Sequence, residues 1–197
     1  MLQVTKEEPE FFISKKKKIS SPNQSSSWEE ISEIRYDLRK HILEKEQDDL
    51  CVYCEKKITA DKEKSNIDHF KTRNLFPHLT FEYNNLFVSC NNSNHCSSYK
   101  DNKGLSTDEF DDLLHPSENI ENTIEHNYIG ELEAKNSKGN FTIEALNLNY
   151  KSLVEERKVI ISNISAYIDF DIETVCDCLS GHKNLIKFLI KEKEISH

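Results

Sequence analysis

Glycine and proline are scarce, four of each in 197 residues, which excludes collagen-like repeats and proline- or glycine-rich low-complexity chain. No apolar run approaches the roughly 18 to 20 residues that a membrane-spanning helix needs. The opening MLQVTKEEPE has no basic segment followed by an apolar one, as a secretory signal would. The expectation is a cytoplasmic protein with no membrane contact. Positive charge is also short: 26 Lys and Arg stand against 35 Asp and Glu, a net charge of -9. That balance argues against a surface that binds nucleic acid all over, because phosphate attracts Lys and Arg. The deficit is uneven, however. Residues 51–103 hold 8 basic against 6 acidic side chains, whereas residues 104–197 hold 9 against 18, so a nucleic acid would meet the first stretch.

With 36% hydrophobic and 31% charged residues, the chain can bury one modest core. Residues 1–27 carry Lys15 to Lys18 and then SSPNQSSS, a composition with little to bury, and are expected to form a flexible arm. A capping-box pair, Ser27 and Glu30, precedes Trp28, Ile31, Ile34, Leu38 and Ile42 at steps of three or four, which predicts a helix from about Trp28 to Gln47. Residues 28–110 would hold this helix and the site-bearing segment. Residues 111–197 would add short strands and helices packed on it as one domain. Tyr128 to Leu146 suggests two strands turning at Lys138-Gly139. Leu153, Arg157, Ile160, Ile161, Ile164 and Ile168 share a helical face, and Val175, Leu179, Leu185, Ile186 and Leu189 suggest two more helices broken near Gly181.

Six cysteines in a cytoplasmic chain are thiols or metal ligands rather than a disulfide framework. Cys51-x2-Cys54 and Cys90-x5-Cys96 are two short loops, each presenting two thiolates, and together they can close a tetrahedron around Zn2+. Cys176 and Cys178, two apart on a helix, would face different ways and make poor joint ligands.

Between the pairs lie Ile67-Asp68-His69-Phe70 and, sixteen positions after His69, Asn85-Leu86. The order CVYC, IDHF, NNLFVSC and a following Lys resembles the HNH nuclease motif in its cysteine-braced form. CVYCEKKI, IDHFKTRNLFPHLTFEYNNLFVSC, HCSSYKD and FTIEALNLNYKSLVEER are similar to the HNH proteins of Septu-type anti-phage systems and of some retrons, over about Leu43 to Ile160. The resemblance implies an α+β fold: a zinc-braced ββα-metal core with flanking helices and a helical C-terminal half. It also implies DNA as substrate, anti-phage defence, and an ABC-type (SMC-like) ATPase as partner.

The residues themselves suit phosphodiester hydrolysis. His69 can take a proton from water near neutral pH, while Asp68 and Asn85 offer oxygen to a hard ion such as Mg2+ or Mn2+. Adjacent residues of a strand face opposite ways, and the resemblance implies that metal and water lie at the strand's end. In one respect the chain departs from the motif: Ser97-Ser98-Tyr99-Lys100 follows Cys96 where a further His is usual. His95, Asn102 or water would have to replace it, and Lys100 would contact the scissile phosphate or lie on a helix surface. The departure leaves a second reading open, a zinc-braced interaction subunit with a decayed nuclease site.

Overall fold

The computed structural model describes residues 1–19, 25–167 and 169–195. The expected first helix is present in two parts, a 3-10 helix (Ser25–Ile34) and then α2 (Arg35–Glu46). Residues three apart eclipse one another in the tighter winding, which lines up Trp28 with Ile31. Leu38 and Ile42 keep the four-residue step of the α form. All four are buried.

Two antiparallel strands lie at the centre, β1 (Ser65–His69) and β2 (Leu86–Cys90), with Ser65 opposite Cys90 and His69 opposite Leu86. Every residue of β2 is buried. On its outer edge the backbone of Val88 is met by Gln47, whose side chain accepts from the Val88 N–H and donates to its carbonyl, both at 2.8 Å. A buried strand edge needs such partners. The helix α3 (Cys96–Lys103) packs on β2 and ends at Gly104, in the left-handed conformation (φ 69°) favoured after a helix.

The expected flexible arm is not found over residues 1–19. A helix, α1 (Glu10–Lys16), forms there, and Met1, Leu2, Val4, Phe12 and Ile19 are all buried in the main core. The Leu2 N–H donates to Val52 O at 2.8 Å and the Val4 N–H to Pro116 O at 2.7 Å. Lys6 reaches Glu46 at 2.6 Å and Leu86 O at 2.8 Å. A few apolar anchors and backbone pairings offset the ordering of this polar stretch. Residues 20–24 lie outside the described residues.

After the short α4 (Glu109–Asp112), the expected pair of strands around Lys138-Gly139 is also corrected. The hairpin is β3 (Ile124–His126) with β4 (Leu132–Ala134), and Lys138-Gly139 lies in the first turn of α5 (Ser137–Ala145). The Asn136 side chain accepts from the Gly139 N–H at 2.9 Å, an N-cap bond that starts a helix where a turn was read.

The helices expected in the C-terminal stretch are α6 (Lys151–Asn163), α7 (Ile172–Cys178) and α8 (Lys183–Ile195). Ile160, Ile164, Val175, Leu185, Ile186 and Leu189 form a second apolar cluster; Ile168 lies outside the described residues. As their spacing required, Cys176 is buried and Cys178 exposed. The turn between α7 and α8, Ser180–His182, has positive φ at all three residues and lies against residues 55–57. The Lys57 N–H donates to Ser180 O at 3.0 Å and the His182 N–H to Glu55 O at 2.7 Å. Among the described residues no helix is long and apolar enough to cross a membrane.

Candidate functional site

The two cysteine pairs converge. Residues 51–54 make a tight turn closed by the Glu55 N–H on Cys51 O at 2.9 Å, with Glu55 left-handed at φ 63°. Cys90 ends β2 and Cys96 begins α3. All four sulfurs lie within 4.8 Å of one another, with Cys51 to Cys96 at 3.8 Å and Cys54 to Cys90 at 3.9 Å. A tetrahedron with Zn–S bonds of about 2.3 Å has edges of about 3.8 Å, so the donor set fits a zinc ion. The Cys90 N–H points at Cys51 Sγ at 3.3 Å, as backbone amides do toward metal thiolates.

His69 is the last residue of β1 and 7% exposed. Its Nε2 bonds Thr80 O at 3.0 Å. A carbonyl only accepts, so Nε2 carries the proton and the lone pair sits on Nδ1. Its ring and that of Trp28 meet edge to face, with centroids 4.4 Å apart. Burial lowers its pKa to about 4, against the raising effect of the Thr80 bond, and the imidazole is neutral at pH 7, the form a general base requires.

Asp68 is buried against two partners. Tyr53 donates its hydroxyl to Oδ2; burial, then the adjacent carboxylate, holds this phenol well above its usual pKa and keeps it a donor. The ammonium of Lys100 lies 3.1 and 3.0 Å from the two Asp68 oxygens. Asp68, His69, Arg73, Ser97, Lys100 and Asp101 border a cleft of about 530 Å3 between β1, the following loop and α3. A larger groove of about 880 Å3, between α2 and residues 57–62, contains none of the candidate residues.

Asn85 is buried and does not border the Asp68 cleft, and the oxygen expected to serve an ion is held by backbone. That oxygen accepts from the Lys71 N–H at 2.8 Å, and the amide nitrogen donates to Lys71 O at 3.0 Å and Leu79 O at 3.2 Å. Both ends of the 71–79 loop are thereby clamped, and Thr80, which holds His69, follows directly.

No family model matches the chain. Two curated proteins do. One is designated the HNH endonuclease of retron Vc95 in Vibrio cholerae serotype O1 biovar El Tor, 34% identical over 134 residues, which cover 64% of this chain and 63% of that protein. The other is the Septu protein PtuB of Bacillus thuringiensis, 28% identical over 103 residues, 50% of this chain and 36% of that protein. The chain is a homologue of the retron HNH protein and of the Septu protein PtuB. It spans less than two thirds of the length of either relative.

Neither protein substitute for the expected His after Cys96 reaches the cleft. His95 Nδ1 lies 3.0 Å from Cys96 Sγ and 3.8 Å from Cys90 Sγ, on the cysteine side. Asn102 is exposed and does not border the cleft. Lys100 is neither on the helix surface nor free to meet a phosphate: it is 1% exposed and wrapped by oxygens. Sequence reasoning missed Tyr53, Thr80 and Trp28 as members of this site, because each arrives from a separate segment; Tyr53 and Thr80 lie inside the quoted CVYC and IDHF stretches, but spacing alone assigns them no role. Asp101, beside Lys100 at 3.5 Å, was visible only as the residue after that lysine. Burial and then the Asp68 charge raise its pKa to about 6. A divalent ion fits Asp68 in donor chemistry, since a carboxylate beside carbonyls is a hard-oxygen set, with the Lys100 ammonium in contention for the same oxygens.

Proposed function

We propose that the chain is a metal-dependent HNH endonuclease that hydrolyses DNA phosphodiester bonds in anti-phage defence, acting with an ABC-type ATPase in the cytoplasm. The fold read for it is the ββα-metal core, made of β1, β2 and α3 and braced by structural Zn2+ on Cys51, Cys54, Cys90 and Cys96. The observation that carries the reading is the placement of His69 and Asp68 together at the end of β1. They border a cleft, with the imidazole neutral and its free nitrogen fixed by the Thr80 bond.

In this reading His69 Nδ1 takes the proton of the attacking water. Thr80 O holds the opposite nitrogen and so the angle of the ring, and Asn85 holds the loop that carries Thr80. Trp28 shields the ring and favours its neutral form. A Mg2+ or Mn2+ ion on Asp68 would supply charge stabilisation at the phosphate. The chain's own acidity fits a nuclease whose DNA affinity is supplied in part by another subunit.

The second reading, an interaction subunit with a decayed site, is favoured by the ammonium lying on Asp68. One experiment separates the two. Plasmid cleavage with Mg2+ or Mn2+, with and without the ATPase subunit, should be lost by about 100-fold or more in His69→Ala, the usual worth of positioned proton transfer, while zinc content stays unchanged. Wild-type cleavage by His69→Ala overturns the mechanism. No cleavage by the wild type under any of these conditions, with complex formation intact, leaves the interaction subunit.

A further inference from the structure

Lys100 lies in the second turn of α3, and its side chain runs inward rather than to solvent. Its Nζ meets four oxygens: Asp68 Oδ1 at 3.1 Å, Asp68 Oδ2 at 3.0 Å, His69 O at 3.0 Å and Phe70 O at 2.9 Å. The ammonium and the Asp68 carboxylate are 0% and 2% exposed, and a second carboxylate, Asp101, lies 3.5 Å away. A carboxylate flanked by backbone carbonyls, with another carboxylate alongside, is what a hard divalent cation selects. Here an ammonium fills that place, at distances proper to N–H donation rather than to metal coordination. Removing one partner of such a buried pair leaves a bare charge that strongly favours any replacement.

We propose that Lys100 is the resident cation of this site, and that a divalent ion binds Asp68 only in competition with the Lys100 ammonium. The inference rests on the reading of Asp68 as the ion's ligand. Lys100 is then a positioning residue that sets metal affinity and holds the site closed to metal at rest. Binding of the ion would displace the ammonium from Asp68 toward the cleft that Lys100 borders.

The test uses the full, zinc-loaded chain and Mn2+ alone, without DNA. Free Mn2+ is counted by electron paramagnetic resonance. Occupancy near His69 is read from quenching of Trp28, the single tryptophan of the chain, whose ring lies 4.4 Å from that of His69. Lys100→Met should bind Mn2+ about tenfold or more tighter than wild type, and adding Asp68→Asn should abolish the gain. Equal or weaker binding by Lys100→Met overturns the proposal. If that variant does not fold, the Nζ proton resonance of Lys100 in the wild type decides. It should be protected from exchange without metal and lose protection as Mg2+ is raised; protection unchanged at saturating Mg2+ overturns the proposal equally. No step of this test involves cleavage. An inactive protein that shows the competition sinks the nuclease reading alone, and an active one that does not sinks this inference alone.

Discussion

Loss of the tetrathiolate cluster should unfold the chain rather than merely weaken it. The sulfur separations of 3.8 and 3.9 Å match the edge of about 3.8 Å of a tetrahedron with zinc–thiolate bonds of about 2.3 Å. Three segments meet there: the turn at residues 51–54, the end of β2 and the start of α3. Cys96 is held at φ 64°, a left-handed conformation costing about 1 to 2 kcal/mol in an L-residue, which a bond from its sulfur to zinc would offset. Structural zinc contributes about 10 to 16 kcal/mol in comparable small sites, as much as the entire net stability of about 5 to 15 kcal/mol usual for a domain. Natively purified protein should therefore contain one zinc per chain by elemental analysis. Chelation, Cys51→Ser or Cys90→Ser should each remove the cooperative thermal transition. Cobalt substituted for zinc should give the visible spectrum of a tetrahedral thiolate site. A metal-free preparation with the same melting temperature, or a folded Cys90→Ser variant of unchanged stability, would refute the reasoning.

Asn85→Ala removes three hydrogen bonds to the backbone of the 71–79 loop and should cost about 1 to 3 kcal/mol in denaturant titrations. Its cleavage defect should not be relieved by raising Mg2+ or Mn2+, and relief would restore it as an ion ligand. Gly181 has φ 109°, and a Cβ there would lie 2.3 Å from Glu55 O, so Gly181→Ala should lower the melting temperature and expose residues 55–57 to hydrogen exchange. A variant as stable as wild type would contradict the described turn. Burial, outweighing the nearby Glu55 carboxylate, lowers the His126 pKa to about 3. Because the unfolded chain binds this proton near pH 6.5 and the folded chain does not, stability is full above that pH. It falls as the pH drops toward 3, by on the order of 1 to 2 kcal/mol at pH 5. His126→Phe should flatten that part of the melting-temperature profile, and an unaltered slope would count against the burial.

What was legible in the sequence had short-range causes. The cysteine spacings, the period of α6 and the break at Gly181 each express a constraint within a few residues. The Asp68-His69 pair was legible through its bracketing, but its surroundings were not: Tyr53, Thr80, Trp28 and Lys100 meet there only through tertiary packing. Residues 1–19 were misjudged because composition averages over a stretch, whereas docking there depends on single anchors such as Phe12 and Ile19 and on backbone bonds that leave no compositional trace. Lys138-Gly139 was read as a turn by residue type. The decisive signal was Asn136, whose side chain caps α5, and glycine is required at 139 because a Cβ would come within 2.2 Å of Thr123 O. Asn85 was assigned by the chemistry of its oxygen, and only the fold reveals that the oxygen is already engaged.

The bonding of Ser180–His182 to residues 55–57 has a consequence for the order of events during synthesis. All four cysteines leave the ribosome before Ser180, which follows Cys96 by 84 positions. A nascent chain can therefore capture zinc and fix the junction of β2 and α3 while the outer side of the 51–57 turn is still bare, since its backbone partners, Ser180 O and the His182 N–H, have not been made. With zinc taken up in this order, metal binding would precede closure, and the α7–α8 pair would fold onto a turn already set by its ligands. This long-range contact is then the last to form.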